Sequence, residues 1–279
     1  MKTLAVTVII STYNSEAWLA KVLTGYSVQT YENFEVIVAD DGSGPETKAL
    51  IDRFAKSFPV PLRHIWHEDQ GYRRQRILNL AIVAAANPYV LFTDGDCIPR
   101  PDFLEVHVQF AEKGFFLSGG YCKLSMDVSE AITEEDIKTS HCFKPSFLSK
   151  MGPLGWKQRL KLSAGKSLAN ILDFTTPTGA TFNNCNSSAW KEDLLAINGY
   201  DERMRYGGPD RELGERLVNL GIKSKQIRYR AICLHLDHAR GYKTKESLQR
   251  NLNIRKQTKT EKIVQTPYGI KQNNAEAFS

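Results

Sequence analysis

Short apolar runs alternate with amphipathic segments in the first third of the sequence, and this alternation constrains the fold more than any other feature. Residues 6–10 and 34–39 are mainly β-branched or aromatic runs, each followed at once by polar turn residues. Such runs are typical of strands buried in a parallel sheet. Residues 15–23 begin with a serine that can cap a helix and place Trp18 and Val22 on one helical face. The three segments predict a βαβ unit.

The same alternation continues to about residue 93. We predict a helix over 46–58, a strand over 62–66, a helix over 73–86 and a strand over 89–93. This order indicates an α/β fold with a Rossmann-like, mostly parallel sheet flanked by helices. Ligands bind beyond the carboxyl ends of the strands in such sheets. Polar residues follow three of the strands, at 11–14, 40–43 and 94–96, and we expect them to line one crevice.

The alternation weakens between residues 123 and 172, where lysines and arginines mix with aromatic and leucine side chains. This composition predicts an insertion or a flexible flap. Beyond it, we predict a strand over 180–185, a helix over 209–220 and a strand over 228–236. The polar composition of residues 257–279 predicts a tail without stable structure.

Charge and cysteine content exclude some classes of protein. The net charge of +6 over 279 residues suits phosphorylated ligands, an anionic membrane or nucleic acid. No nucleic-acid-binding signature accompanies the charge, so we expect no nucleic-acid partner. Five cysteines without C-x-x-C spacing argue against a complete disulfide framework and favour a reducing cytoplasm. The apolar run at 4–10 is shorter than the roughly 20 residues of a membrane span.

Two carboxylates flank a glycine in Asp94-Gly95-Asp96, directly after an apolar strand. Mg²⁺ and Mn²⁺ prefer oxygen ligands and leave positions open for phosphate oxygens, so the triplet suits a divalent cation. An ordinary surface turn is the alternative. A calcium loop does not fit, because Ile98 and Pro99 stand where such a loop needs an oxygen ligand and a glycine.

Other polar segments have both a structural and a functional interpretation. Residues 40–43 favour a turn, but together with Tyr13 they could hold a base by stacking and by a carboxylate that accepts its ring N–H. Residues 70–76 place three arginines at a predicted helix start, which attracts a diphosphate. A solvated basic face is the alternative there, and Arg73 is the preferred phosphate-side residue.

Two later segments carry side chains suited to catalysis or metal binding. Residues 207–210, Gly-Gly-Pro-Asp, form an ordinary helix start. A carboxylate in that position can also act as general base for an acceptor hydroxyl. His235 and His238 lie at the end of a predicted strand, and one of their imidazoles can complete a metal coordination shell.

Taken together, five segments resemble the family 2 glycosyltransferases, which have the GT-A fold. The segments are residues 8–14, 40–43, 70–72, 91–96, and 198–202 running into 207–210. The last is similar to bacterial chondroitin-polymerase domains and to the carboxyl half of β-1,4-galactosyltransferases. The resemblance covers residues 4–240. It implies a nucleotide-sugar-binding half over 1–122 and an acceptor-binding, catalytic half over 123–256 of one GT-A domain, before the tail at 257–279.

The resemblance also implies a role for each candidate residue. The nucleotide-binding residues are Ser11, Tyr13, Asp41, Arg73 and Asp94, with Tyr13 and Asp41 on a uracil or thymine base and Asp94 near the ribose. Asp96 coordinates Mn²⁺ or Mg²⁺ with His238, which the following residues 239–240 favour, or with His235. Asp210 is the general base, and the sugars are contacted by Gly207, Gly208 and Asp210.

Two departures from the family pattern limit this transfer. Leu78 stands where relatives often have an arginine, so the phosphate-side role could belong to Arg73 or Arg76. Pro209 stands where galactosyltransferases have a glutamate before the catalytic aspartate. The second departure weakens any transfer of donor or acceptor specificity.

The implied function is metal-dependent, inverting transfer of a sugar from a nucleoside-diphospho-sugar, expected to be a UDP-sugar. The acceptor would be a hydroxyl of a glycan or lipid-linked saccharide, in bacterial surface polysaccharide or lipopolysaccharide synthesis. One alternative is a sugar nucleotidyltransferase, although residues 11–14 lack its glycine-rich phosphate loop. Another is a non-catalytic nucleotide- or carbohydrate-binding protein. The basic and apolar residues of 144–166 predict either peripheral contact with the inner face of the plasma membrane or a basic acceptor-side flap packed on the core.

Overall fold

The computed structural model describes residues 3–176, 179–238 and 244–271. The strands are β1 (Val6–Thr12), β2 (Phe34–Asp40), β3 (Leu62–Trp66), β4 (Tyr89–Asp94), β5 (Cys97–Pro99), β6 (Phe115–Lys123), β7 (Ser187–Trp190) and β8 (Lys223–His235). Within the described residues these strands form one sheet, in the order β3-β2-β1-β4-β7-β6-β8-β5.

Helices flank the sheet. They are α1 (Glu16–Ser27), α2 (Pro45–Ala55), α3 (Arg74–Ala84), α4 (Phe103–Phe110), α5 (Met126–Ala131), α6 (Glu134–Lys138), α7 (Pro145–Met151), α8 (Trp156–Ser163), α9 (Lys166–Thr175), α10 (Lys191–Ala196), α11 (Pro209–Asn219) and α12 (Lys245–Thr260). A short 3₁₀ helix, His141–Phe143, precedes α7.

Strands β1 to β4 form the parallel half of the sheet. β1 lies between β2 and β4, and β3 pairs with β2, all in parallel register. Every residue of β1 and β2 is buried because apolar clusters cover both faces. Val8 belongs to the cluster that contains Leu23 of α1, whereas Ile9 belongs to the cluster that contains Ile77 of α3. The predicted α/β class is confirmed, as is the first βαβ unit.

The other half of the sheet is mixed. β7 is antiparallel to β4 and β6, β8 is parallel to β6, and β5 is antiparallel to β8. The predicted strand over 180–185 is wrong, because the strand is β7. The Asn183 N–H donates to Ser187 Oγ (2.9 Å) and the Asn186 N–H to the Asn183 carbonyl oxygen (3.2 Å). The asparagine-rich segment therefore turns before the strand begins.

Residues 123–172 fold into helices α5 to α8 and most of α9, where the sequence predicted an insertion or a flexible flap. Leu148 is buried, and Phe147, Leu154 and Leu162 pack against the main core. Most apolar side chains of residues 144–166 thus contribute to the core, which favours the packed alternative over the membrane one.

The prediction of an unstructured tail over 257–279 is wrong for its described part, residues 257–271. α12 extends to Thr260, and Ile270 is buried. The Ile270 N–H donates to the Asn198 carbonyl oxygen (3.1 Å), and Thr266 Oγ1 donates to Asp201 Oδ2 (2.8 Å). These hydrogen bonds satisfy polar groups of the segment, and the amino-acid composition alone does not reveal them. Residues 272–279 lie outside the described part.

All five cysteines are buried and unpaired, as expected for a chain without a complete disulfide framework. Burial raises the pKa of the Cys142 thiol to about 12 and that of Cys122 to about 11. Both thiols are therefore protonated at neutral pH. The reducing cytoplasm inferred from the cysteines stays a prediction.

Among helices of the described residues, none combines the length and apolar character needed to cross a bilayer.

Candidate active site

A cleft of about 1470 Å³ opens beyond the carboxyl ends of β1, β2 and β4. Its other walls come from α8, α11, α12 and the ends of β6 and β8. The sequence-predicted residues that line it are Ser11, Tyr13, Asp41, Asp94, Asp96, Gly207, Gly208, Asp210, His235 and His238. The parallel register brings the strand ends together, as predicted for this type of sheet.

Arg76, the other candidate for the phosphate-side role, does not line the cleft, and neither does Arg73. The Arg73 guanidinium donates to the Glu68 carbonyl oxygen (2.6 Å), and the Arg73 backbone N–H donates to Asp41 Oδ2 (3.1 Å). Arg73 precedes α3 with a non-helical backbone, whereas Arg74 is the first helical residue. Arg74 therefore lines the cleft in place of Arg73.

Asp41 and Tyr13 lie on the wall formed by the first two strand ends. Asp41 is buried, and its Oδ1 lies 2.8 Å from His67 Nε2. Tyr13 is 50% exposed, and its hydroxyl donates to Asp69 Oδ2 (2.9 Å). A fixed carboxylate beside a half-exposed aromatic ring can bind the edge and the face of a planar base.

Arg74, Asp94 and Ser11 form a connected polar group. Arg74 Nη2 pairs with Asp94 Oδ1 and donates to Ser11 Oγ (2.8 Å), and Ser11 Oγ donates to Asp94 Oδ1 (3.1 Å). Burial opposes the charge of Arg74, but Asp94 together with Tyr72, Tyr200 and Asp210 outweighs that effect and raises the pKa of the guanidinium. The Arg74 guanidinium therefore stays positively charged next to the Asp94 carboxylate.

Asp96 lies among three other candidate ligands. His238 Nε2 is 3.1 Å from Asp96 Oδ2, and the ligand atoms of Asp96, Cys97 and His235 all lie within 4.8 Å of one another. The rings of His235 and His238 stack with centres 5.8 Å apart. Burial opposes ionisation of Asp96, yet the hydrogen bond from His238 and the charges of both histidines lower its pKa.

This donor set fits a divalent transition cation, because one carboxylate and two imidazoles are ligands that Mn²⁺ accepts. His235 Nδ1 lies 2.8 Å from the Leu236 carbonyl oxygen. A proton on Nδ1 in that hydrogen bond leaves Nε2 as the acceptor for a metal. Burial raises the pKa of the Cys97 thiol well above its usual range, which makes Cys97 the weakest ligand of the group.

Asp210 lies in the first turn of α11, after two glycines with φ of +111° and +95°. Such backbone angles are readily adopted only by glycine, so Gly207 and Gly208 allow the chain to turn into the helix. Asp210 is half-buried, and its Oδ1 accepts the Arg211 N–H (2.9 Å). Burial raises the pKa of Asp210, against the opposing effects of Arg211 and Arg74. The result is a more basic carboxylate than an ordinary aspartate.

A buried ion pair anchors the start of α11. Arg216 Nε donates to Glu212 Oε1 (2.8 Å), and its Nη2 donates to the Gly199 carbonyl oxygen (2.7 Å). Both side chains are almost inaccessible to solvent. The pair ties the helix that carries Asp210 to the segment 197–199, so the position of the carboxylate is fixed by the core.

Sequence reasoning did not select Arg74, Lys161 and Arg228, which line the cleft, or His67, whose ring contacts Asp41. Arg74 is one position from Arg73, the residue chosen. Sequence patterns do not locate the first residue of a helix to within one position. His67 follows β3 directly, so its place at a strand end was the available signal. Lys161 lies in the segment 144–166, for which a basic acceptor-side flap was one alternative, but no pattern selected Lys161 or Arg228 individually.

Comparison with known families agrees with this geometry. Residues 7–138 match the sequence model described as Glycosyl transferase family 2. Residues 171–239 match the model described as N-terminal domain of galactosyltransferase. The first match contains the ends of β1, β2 and β4, and the second contains Asp210, His235 and His238.

Curated relatives are also glycosyltransferases. Validoxylamine A glucosyltransferase of Streptomyces hygroscopicus subsp. limoneus is 27% identical over 77% of this chain and 48% of its own length. The uncharacterized glycosyltransferase YfnE of Bacillus subtilis is 27% identical over 88% of this chain and 68% of its own length. The chain thus spans about half the length of the first of these relatives.

Solved structures share the fold. The mannosyltransferase PcManGT from Pyrobaculum calidifontis, in complex with GDP-Man and Mn²⁺, has a TM-score of 0.56 and 20% identity, covering 85% of this chain and 58% of that one. S. aureus TarS 1–349, in complex with UDP-GlcNAc, has a TM-score of 0.63 and 15% identity, covering 94% and 70%. The chain has the GT-A fold of these glycosyltransferases, and its residues 7–138 match the family 2 glycosyltransferase sequence model.

Proposed function

We propose that this protein transfers a sugar from a nucleoside-diphospho-sugar, a UDP-sugar in our assignment, to a hydroxyl of a glycan or lipid-linked saccharide, with inversion at the anomeric carbon. One observation carries the proposal: a carboxylate with a raised pKa, Asp210, shares a cleft with the ligand group around Asp96. A catalytic base and a diphosphate site in one cleft are the two parts that such a transfer needs.

The base of the donor is assigned to Tyr13 and Asp41. The half-exposed Tyr13 ring offers a stacking face, and the buried Asp41 carboxylate is oriented by His67 and the Arg73 N–H. A pyrimidine with a ring N–H, such as uracil, can donate to that carboxylate. Ser11 and Asp94 lie next to this wall and are assigned to the ribose side, with Arg74 in the phosphate-side role first given to Arg73.

Asp96, with His238 or His235, is assigned as the ligand set for Mn²⁺ or Mg²⁺. When bound there, the cation would supply positive charge to the diphosphate leaving group. The Mn²⁺ and GDP-Man in the PcManGT complex support this assignment, as does the UDP-GlcNAc in the TarS complex. Nucleotide identity in this chain is proposed from Tyr13 and Asp41 rather than from those neighbours.

Asp210 is assigned as the general base. Its carboxylate takes the proton of the acceptor hydroxyl while the hydroxyl oxygen attacks the anomeric carbon on the face opposite the leaving nucleoside diphosphate. Direct displacement inverts that carbon. Gly207 and Gly208 carry no side chain, so the backbone before Asp210 leaves room for the sugars that meet there.

The wider assignments are part of the same proposal. Residues 1–122 supply the donor side, and residues 123–256 supply the base and the acceptor side. We assign the enzyme to the cytoplasm and to bacterial surface polysaccharide or lipopolysaccharide synthesis. Peripheral membrane contact through residues 144–166 receives little support, because the side chains of Phe147, Leu154 and Leu162 pack on the core.

A donor screen tests the proposal. The protein is incubated with UDP-, dTDP- and GDP-sugars, with and without Mn²⁺, and released nucleoside diphosphate is measured. We expect Mn²⁺-dependent hydrolysis of at least one UDP-sugar, which Asp96→Ala abolishes in a folded protein. UDP binding by calorimetry without turnover of any donor would instead favour a non-catalytic nucleotide-binding protein.

A further inference from the structure

The cleft is larger than the donor alone requires. Pockets for a single small ligand usually measure about 300–1,000 Å³, whereas this cleft measures about 1470 Å³. The residues assigned to the nucleotide follow β1, β2 and β4, in the parallel half of the sheet. The wall formed by α8 and the end of β6 belongs to the mixed half. The side chains of this wall have no assigned role, although they line the same cleft.

An exposed tryptophan lies on this wall. Trp156 is the first residue of α8, is 70% exposed and lines the cleft. Large apolar side chains that stay exposed at a concave surface mark binding sites, and tryptophan is among the side chains that contribute most to recognition. Phe174 of α9 is 91% exposed but does not line the cleft. Location, rather than exposure alone, therefore distinguishes Trp156.

Hydrogen bonds hold the start of α8 in place. Gln158 Oε1 accepts the Gly155 N–H (2.7 Å), and Gln158 Nε2 donates to the Lys123 carbonyl oxygen at the end of β6 (2.5 Å). Lys161 Nζ donates to the Tyr121 carbonyl oxygen, also in β6 (3.0 Å). These bonds attach the helix to the sheet, so the position of the tryptophan backbone is fixed before a ligand binds. An aromatic side chain on a fixed backbone loses little conformational entropy when it binds a ligand.

A second aromatic side chain lies on the same wall. Tyr121 is 43% exposed and lines the cleft, and Lys161 Nζ lies 5.7 Å from the centre of its ring. Trp156 precedes Lys161 by five residues, which corresponds to about 8 Å along the helix axis. The centres of the Tyr121 and His235 rings are 5.5 Å apart. The wall therefore carries two exposed aromatic rings, one of them beside a candidate metal ligand.

A β-bulge directly precedes Tyr121. The register between β6 and β8 shifts between Gly119 and Gly120, so residues 228–231 bulge out of the ladder. A side chain on Gly120 would place its Cβ 2.2 Å from the Arg228 carbonyl oxygen, so glycine permits the close approach of the two strands. Bulges next to active sites commonly redirect a side chain, and Tyr121 is the next residue of β6.

A buried carboxylate of α9 fixes the bulge. Asp173 Oδ1 accepts the Tyr229 N–H (2.9 Å), and Asp173 Oδ2 accepts from Arg230 Nε (3.0 Å). The Asp173 side chain is only 6% exposed. The bulge beside Tyr121 is therefore held by a side chain of the protein interior.

The two rings suit a ligand with flat, weakly polar faces. A pyranose ring presents C–H groups on its faces and hydroxyl groups around its edge, and the negative face of an aromatic ring attracts the weakly positive hydrogens of C–H groups. The nucleobase is assigned to Tyr13 and Asp41, which follow strands of the other half of the sheet. We propose that Trp156 and Tyr121 bind the saccharide acceptor by stacking on its sugar rings.

This inference rests on the proposed function, which brings an acceptor saccharide into the cleft beside the donor. An anionic membrane is the other partner that an exposed tryptophan near lysines could contact. The position of Trp156 favours the saccharide, because a membrane surface is too broad to enter a cleft. A membrane would contact Phe174, outside the cleft, at least as closely as Trp156.

A saccharide array tests the inference. Fluorescently labelled wild type, Trp156→Ala, Trp156→Tyr and Tyr121→Ala are applied in Mn²⁺, with and without UDP, to immobilised mono- and oligosaccharides of glucose, galactose, mannose, rhamnose and N-acetylhexosamines. Phe174→Ala is the matched control, since it removes an exposed aromatic ring that does not line the cleft. The same proteins are sedimented with vesicles of phosphatidylcholine and phosphatidylglycerol. Circular dichroism measures whether each variant is folded.

We expect wild type to bind at least one of the saccharides, and Trp156→Ala to bind it about tenfold more weakly, the usual loss when an aromatic anchor is truncated. Tyr121→Ala should also bind it more weakly. Trp156→Tyr keeps an aromatic face and should keep most of the affinity, and Phe174→Ala should bind like wild type. The affinity of Trp156→Ala for UDP, measured by calorimetry, should be unchanged, because the nucleotide is assigned to the parallel half.

Three results would overturn the inference: equal saccharide binding by wild type and folded Trp156→Ala, no saccharide binding by wild type, or a loss of vesicle binding in both Trp156→Ala and Phe174→Ala while saccharide binding is unaltered. The third result would assign the exposed rings to a membrane. Failure of the proposed function gives a different result. If wild type hydrolyses no nucleotide-sugar in the donor screen but binds a saccharide through Trp156, the saccharide site is supported and the transferase assignment is rejected.

Discussion

The two halves of the sheet position their functional side chains in different ways. In the parallel half, β1 and β2 are mainly apolar and buried throughout, and their carboxylates, Glu35 and Asp40, lie near the two ends of β2. In the mixed half, hydrogen-bonding side chains lie inside the core. His107 of α4 bonds to Ser188 Oγ (2.7 Å) and Asn186 Oδ1 (2.9 Å). Asn186 Nδ2 donates in turn to the Gly120 carbonyl oxygen (2.7 Å).

This difference indicates how each half supports the cleft. Regular parallel register is enough to bring strand ends together, so the donor side needs few special residues. The mixed half contains a bulge and antiparallel neighbours, and it needs side-chain hydrogen bonds to satisfy backbone groups that the ladder leaves open. Asn186, which also donates to the Ala231 carbonyl oxygen (2.9 Å), performs that role under the bulge.

The largest effect should come from the chemistry assigned to the mixed half. Asp210→Asn removes the base, and we expect kcat to fall by about 10²- to 10⁴-fold, the usual contribution of general base catalysis. UDP affinity should be unchanged, because the donor base binds to the parallel half. Steady-state kinetics with the donor found in the screen, together with calorimetry, measure the two quantities.

Asp193→Asn is the matched control for that change. Burial raises the pKa of Asp193 as well, but this residue lies on α10 and does not line the cleft. Its variant should retain full kcat. Because a raised pKa means that folding disfavours the ionised carboxylate, Asp210→Asn should be at least as stable as wild type at pH 7. A folded Asp210→Asn protein with full turnover would remove the residue from its assigned role.

The buried histidine of the mixed half should make stability depend on pH. Burial lowers the pKa of His107 from 6.5 to about 4, so the folded state keeps the ring neutral where the unfolded state binds a proton. Stability from this source is complete above pH 6.5 and is lost as pH falls towards 4. At about 1.4 kcal/mol per pKa unit, the loss amounts to about 3 kcal/mol. Urea unfolding at several pH values measures it.

His107→Gln distinguishes this effect from general acid unfolding. Glutamine can hydrogen-bond to Ser188 or Asn186 but does not titrate, so the variant should be less stable at pH 7 and should lose less stability between pH 6.5 and 4. Parallel pH dependences of wild type and His107→Gln would contradict the assignment.

The same contrast explains what the sequence could predict. Continuous apolar runs identified β1, β2 and β4, and their ends identified Tyr13, Asp41, Asp94 and Asp96 as cleft residues. The antiparallel β7 could not be placed, because Ser187 and Ser188 are polar residues buried through partners distant in sequence. Arg228 was missed for a related reason: the bulge depends on Gly120 and Asp173, which no local pattern connects. Asp210 was found from the glycine turn at a predicted helix start and from the family resemblance.

A smaller effect is expected at the donor wall of the parallel half. Asp41→Asn replaces one acceptor oxygen by an amide that cannot accept from both His67 and the Arg73 N–H. We expect UDP to bind about tenfold more weakly, the usual size of a lost charge-assisted hydrogen bond, with kcat retained at saturating donor. This is the opposite pattern to Asp210→Asn. A fall in kcat without a change in UDP affinity would contradict the assignment of donor binding to the parallel half and of chemistry to the mixed half.

The smallest effect concerns the acid limb of the pH–rate profile. A base must be ionised to accept a proton, so kcat should fall as pH decreases through the pKa of Asp210, which burial raises above the usual 3.8. Loss of the bound metal at low pH would also lower the rate, and Mn²⁺ concentration separates the two causes. A limb set by Asp210 keeps its midpoint when Mn²⁺ is increased, whereas a limb set by metal loss moves to lower pH because Mn²⁺ competes with protons. A midpoint that moves with the Mn²⁺ concentration would show that metal binding, rather than ionisation of Asp210 on α11, sets the acid limb.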